Sequence, residues 1–354
     1  MDILTETAAV LSSWAETLRQ AIRTVPLIDE SLGALCIALP LGGLLALAGL
    51  GILSGSARAL AVTRGRASYE KCARQLAMLA MLLGWVLLIG GRVWLFSSQG
   101  SHAPDSLPGF LLESCWMLLG MAVMFTSVYY MLWKYLTKLP LLHAAQGILC
   151  GILGLPAAGA ALAAARLLTA QARPDAAAIT LAQLYTPVVG TPFFCALCMT
   201  LPLALAAAGG FGAVWLVLRR RHDDFGRDHY NAMLPWCAAW ARNAWLVFWL
   251  LLLAATALRI GSQWQGDAFT PESALRESAW LLLWLIPAAL WTLAARSATP
   301  LRHKPALLAA LLLSLAATLP YYAGMTDIAG AAAQTGPATV TPDAPPPPLP
   351  GLAQ

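Results

Sequence analysis

Eight runs of eighteen or more mostly apolar residues punctuate this chain, and a run of that length has few folded homes. About 20 apolar residues in a helix cross the roughly 30 Å hydrocarbon core of a bilayer, where only helices and closed barrels satisfy their own backbone hydrogen bonds. The runs are Ser31 to Leu53, Gln75 to Phe96, Phe110 to Leu132, Leu141 to Leu168, Pro192 to Leu218, Trp236 to Leu258, Ser278 to Ala295 and Pro305 to Met325. With 59% hydrophobic and only 11% charged residues, the composition excludes an ordinary soluble domain. The expected fold is all-α, a polytopic bundle of about eight transmembrane helices, with the lipid bilayer as its partner and no nucleic acid. The fourth and fifth runs are rich in Gly, Ala and Pro, which in a membrane signals close helix packing or a kink rather than a loop.

Residues 1–30 contain acids where a cleaved leader would carry bases, so the segment is expected to be retained. Val10, Trp14, Leu18 and Ala21 recur at helical spacing, as in an amphipathic surface helix or one packed on the bundle. The tail over 326–354 is rich in proline and is expected to be extended and disordered, a linker or a docking ligand. The cysteines at 36, 72, 115, 150, 195, 198 and 237 fall mostly within spans and imply no disulfide framework. Cys195 and Cys198 stand one helical turn apart in an apolar run, without the loop or second ligand pair of a metal motif, and read as core.

Lysine and arginine divide unevenly between the two sides. Fourteen lie in the connections after spans one, three, five and seven, and six lie on the other face. By the positive-inside rule the richer side is cytoplasmic, with both termini outside. The densest group is "LRRRHDDFGRDHYNAML", residues 218–234. Its arginines read as a cytoplasmic anchor, but Asp223, Asp224 and Asp228 do nothing for topology. They are left to pair with arginines, cap the next helix or form a docking surface.

Ionisable groups at membrane depth are expensive and so mark candidate sites. Arg92 closes span two and Glu113 opens span three, a natural structural ion pair. Arg242, beside Asn243, lies inside span six, within expected reach of Asp223, Asp224 and Asp228, and serves either anchoring or function. Four of five histidines, His143, His222, His229 and His303, fall on the cytoplasmic side. His143, at the start of span four, is the natural membrane metal ligand, although a histidine near an interface is commonly a plain hydrogen-bonded side chain. Phosphate loops, zinc-protease and nucleophile-elbow motifs and dinucleotide fingerprints are absent from the sequence.

"CIALPLGGLLALAG", "RGRASYEKCARQLAMLAMLLGWVLLIGG" and "LLESCWMLLGMAVMFTSVYYMLWKYL" followed by His143 carry a family resemblance. Their order, from span one to the start of span six, resembles divergent relatives of cytochrome bd oxidase subunit I. The resemblance implies a multi-pass protein of the bacterial cytoplasmic (inner) membrane, with haem b or a quinone as cofactor and other respiratory-complex subunits as partners. Two departures qualify it. Ala38, Leu39 and Pro40 stand where such proteins usually carry a haem-ligating histidine, and no long loop resembles the family's quinol-binding loop. The expectation is therefore a membrane subunit of an electron-transfer assembly rather than an oxygen reductase. His143, His229 and Tyr230 are candidate cofactor contacts, and His143 the candidate metal ligand. The alternatives are a cofactor-free scaffold and a small-solute transporter, the latter suggested by Pro156, Pro202, Pro287 and Arg242.

Overall fold

Two tight turns organise the bundle, and both depend on backbone that most side chains resist. The first helix, α1 (Pro26–Arg64), ends at Gly65, whose φ of +62° lets the chain reverse within two residues into α2 (Ala67–Ser98). The second turn is built from Asp224 (φ +36°), Phe225 and Gly226 (φ +84°), between α5 (Pro192–Asp223) and α6 (Arg227–Gln265). Between these pairs stand α3 (Leu107–Met131) and α4 (Pro140–Gln171), joined by the 3-10 turns Leu132–Lys134 and Leu136–Lys138. A shorter α7 (Leu285–Arg296), the 3-10 turn Pro300–His303 and a helix over 304–316 follow. This computed structural model describes residues 26–98, 107–171, 192–265, 275, 278–279 and 281–316.

No strand occurs among the described residues, and six helices are long and apolar enough to cross a membrane. They correspond to the first six expected spans. The seventh is represented by the shorter apolar helix Leu281–Arg296, and the eighth by the described part, 304–316. The chain is thus an all-α, multi-pass membrane helix bundle. The surface-helix expectation for 1–30 lies outside the described residues up to residue 25, and 26–30 belong to α1. The tail over 326–354 lies outside them altogether.

Packing centres on α1, against which α2, α4 and α5 all lie. Small residues permit this. Gly51 and Gly55 of α1 face Gly147 and Gly151 of α4, two glycine pairs at four-residue spacing set against each other. A methyl at Gly51 would come 2.5 Å from the Gly151 nitrogen, and one at Gly151 would come 2.5 Å from the Ala48 carbonyl oxygen. On the other side of the bundle, Gly209 of α5 admits the Ala241 backbone of α6 in the same way. The outward faces of α2 and α3 are correspondingly apolar, with Val86, Ile89, Val93, Met117 and Met131 exposed for lipid to cover.

Two expectations are corrected here. The charged stretch 218–234 is not a loop: α5 runs through Asp223, α6 begins at Arg227, and only 224–226 are non-helical. Likewise α2 begins at Ala67, about two turns before the apolar run at Gln75. α1 and α5 likewise run on past their apolar stretches until a residue in the left-handed region, Gly65 or Asp224, stops them. Of the three prolines, Pro156 and Pro202 lie inside continuous helices, α4 and α5, whereas the apolar helix Leu281–Arg296 is interrupted by a turn at Trp284, three residues before Pro287. The helix breaks that suggested a transporter are therefore absent at Pro156 and Pro202 and present beside Pro287.

Candidate functional site

Hydrogen bonds gather the starts of α2, α4 and α6 and the ends of α1, α3 and α5 into two polar clusters at the arginine-rich end of the bundle. The first joins α2, α5 and α6. Arg219 Nη2 donates to Asp223 Oδ1 at 2.7 Å, one helical turn along α5. Gln75 Nε2 donates to Asp223 Oδ2 at 2.7 Å, and Gln75 Oε1 meets His229 Nε2 at 3.1 Å.

These contacts determine where the protons sit. A carboxylate only accepts, so the Gln75 amide must direct its NH2 at Asp223 and its oxygen at His229. His229 therefore carries its proton on Nε2, and its Nδ1 is left as a bare acceptor. That Nδ1 is buried and has no hydrogen-bond partner; the adjacent Tyr230 hydroxyl is also buried and makes no well-formed hydrogen bond, with the Gln75 side chain and the Phe225 backbone as polar neighbours. His229 and Tyr230 are 3% and 1% exposed, with ring centroids 5.0 Å apart. Phe225, from the turn, lies edge-on to His229 at 5.3 Å, and Lys71 Nζ lies 4.9 Å from the Phe225 ring centroid.

The second cluster is formed by α1 to α4. Ser54 Oγ donates to the Ala73 carbonyl at 2.7 Å, so the Tyr129 hydroxyl must donate to Ser54 across 3.0 Å. His143 is fully buried, its Nε2 donating to the Tyr129 carbonyl oxygen at 3.0 Å. Its ring lies between Tyr129 and Trp133, with centroids at 4.5 and 4.7 Å. Arg58, 4% exposed, pairs with Glu70 and lies over Trp133.

The clusters separate the residues singled out from sequence. His229, Tyr230 and Asp223 come together, whereas His143 belongs to the second cluster. Asp224 and Asp228 are exposed and outside the network; Asp228 in the first turn of α6 favours that helix's positive end. The expected reach from Arg242 to these aspartates is corrected. Arg242 donates from Nε and Nη2 to Asn243 Oδ1, at 3.0 and 2.8 Å. Fourteen residues of helix separate Asp228 from Arg242, about 21 Å of axial rise, beyond any side chain's reach. Gln75, Arg219, Lys71, Phe225 and Arg58 were not singled out for the site: the basic residues resemble ordinary anchors, and Gln75 reveals its role only through partners 148 and 154 positions away.

Arg92 and Glu113 form an ion pair with contacts of 3.0 and 3.1 Å, and Arg92 also lies over Trp116. Both side chains are nearly half exposed. Glu113→Gln is therefore expected to cost below about 1 kcal/mol, read as a small shift in thermal midpoint.

Through Nε2, His143 does not fit an axial haem ligand, although its Nδ1, like that of His229, is buried and unpaired. Nε2, the nitrogen farther from the side-chain stem, is taken by a carbonyl, and aromatic rings pack on the imidazole. No group of three or more His, Cys, Asp or Glu side chains suited to a metal ion occurs among the described residues. His229 Nδ1 and Tyr230 Oη are the atoms of the first cluster that would meet a quinone head group, with Gln75, Asp223, Arg219 and Lys71 as the charged and polar groups around them. Comparison with known proteins adds no family: no protein-family model matches the chain, and no curated protein is found as a relative.

Proposed function

We propose that this protein is a membrane subunit of an electron-transfer assembly, and that His229 and Tyr230 hold a quinone head group at its cytoplasmic end. The observation that carries the reading is a buried acceptor without a protein partner, His229 Nδ1, beside a buried hydroxyl, Tyr230 Oη, which makes no well-formed hydrogen bond to its polar neighbours, the Gln75 side chain and the Phe225 backbone. Buried polar atoms are ordinarily paired, and each unpaired one costs about 1–3 kcal/mol. Two such atoms on adjacent residues match a ligand that both donates and accepts. The resemblance to cytochrome bd subunit I supports the same class of ligand.

The bound group would supply a two-electron, two-proton redox couple. The protein's share is to orient the ring and manage charge. Tyr230 Oη would donate to a carbonyl oxygen of the oxidised ring, and His229 Nδ1 would accept from a hydroxyl of the reduced one. If Nδ1 takes up a proton, the resulting positive charge is stabilised through Nε2–H to Gln75 Oε1, and onward to Asp223. Arg219 balances that carboxylate, so the relay is close to neutral before the proton arrives. Phe225, packed on His229, helps to exclude water.

The test is titration of the full-length protein in lipid nanodiscs with a short-chain quinone, followed by tryptophan quenching. Saturable binding is expected, weakened about tenfold in Tyr230→Phe, the worth of one hydrogen bond. Absence of saturable binding, or unchanged affinity in both Tyr230→Phe and His229→Ala, would leave the cofactor-free scaffold as the better reading.

A further inference from the structure

The Arg242–Asn243 pair faces the wrong way for a side chain that serves the bundle interior. Asn243 is exposed and Arg242 partly so, and the guanidinium is turned onto Asn243. No carboxylate pairs with Arg242 among the described residues. The apolar stretch of α6 starts at Trp236, so Arg242 lies about 9 Å inside it by helical rise. A cation at that depth on an outward surface is costly, and the neutral Asn243 amide that accepts its hydrogen bonds leaves its charge uncompensated.

The rest of that face is built for close contact. Asn243, Val247, Leu250 and Ala254 are exposed and follow one another at spacings of four, three and four residues, the period of a left-handed helix pair. A single polar residue in such a seam sets its register, and alanine lets a neighbouring backbone approach. We propose that this face of α6 docks a transmembrane helix of a different protein, one that carries an aspartate or glutamate at the depth of Arg242. The partner is not a second copy of this chain. Within its eight apolar runs the sequence has one acidic residue, Glu113, which is engaged with Arg92 where α2 ends and α3 begins, away from the arginine-rich end. The proposal goes beyond the quinone reading and does not rest on it.

Its test uses synthetic leucine-rich transmembrane peptides of about 20 residues, identical except for one aspartate or leucine a third of the way along. Energy transfer from the full-length protein's tryptophans to a dye on each peptide is measured in phosphatidylcholine vesicles. The aspartate peptide is expected to bind about tenfold more tightly or better. That preference should persist in Arg242→Lys and vanish in Arg242→Gln. Equal binding of the two peptides to the unaltered protein overturns the proposal, and that comparison stands even if a variant fails to fold. Persistence of the preference in a folded Arg242→Gln protein also overturns it. So does self-association of the chain through α6, read by energy transfer between copies labelled at Val247→Cys.

Discussion

Gly151→Val is expected to prevent α1 and α4 from packing, at a cost at or above the roughly 3 kcal/mol upper end of ordinary overpacking. The reason is what the new side chain would strike. Around Gly151 the nearest atoms include the Ala48 carbonyl oxygen and the Ile52 amide nitrogen, backbone atoms that cannot swing aside as a side chain can. Relief requires the helices to part, and α1 is also the surface on which α2 and α5 pack. The protein should therefore lose its thermal transition or elute as aggregate in detergent. Gly91→Val is the control: a methyl there meets nothing closer than 3.6 Å, and the variant should behave as the parent does. Parent-like stability in Gly151→Val would mean that the glycine contact does not hold the bundle together.

Glu70→Gln is expected to have the second largest effect, about 3 kcal/mol, despite altering a half-exposed side chain. The damage falls on its partner. Arg58 is 4% exposed, its Nε already lacks a hydrogen-bond partner, and without Glu70 its positive charge retains mainly the Trp133 ring. An uncompensated buried charge is worse than no charge, so Arg58→Met combined with Glu70→Gln should recover most of the loss. Chemical denaturation of Glu70→Gln, Arg58→Met and the double variant forms a double-mutant cycle. If the double variant is as unstable as the sum of the singles, Arg58 and Glu70 act independently and the ion pair contributes little.

The bundle was legible in the sequence because lipid imposes a length. Six of the eight apolar runs correspond to helices that can span, and the Gly-rich "GILGLPAAGA" did mean close packing. What escaped was everything that hydrophobicity does not encode. The extra turns of α2 and α6 are polar, and their starts are set by Gly65 and by the turn at 224–226 rather than by the membrane. The polar network was half legible. His229, Tyr230 and Asp223 stand within eight positions of one another in one charged stretch, but Gln75, which joins them, is an unremarkable residue until the fold brings α2 alongside. Arg242 shows the opposite error. Its rarity was visible, yet its direction was not, because a sequence does not reveal which side of a helix finds a partner.

Gln75 also gives the bundle a gauge of alignment. Its two bonds tie α2 to both halves of the α5–α6 hairpin, one on each side of the three-residue turn. Sliding α2 by one helical turn, about 5.4 Å, would break both bonds. His229 would lose its acceptor at the same moment as Asp223 lost its donor. Mechanical position and charge balance at this end of the protein are thereby read by one amide group: a displacement of α2 is felt at the imidazole, and a change of charge at the imidazole pulls on α2.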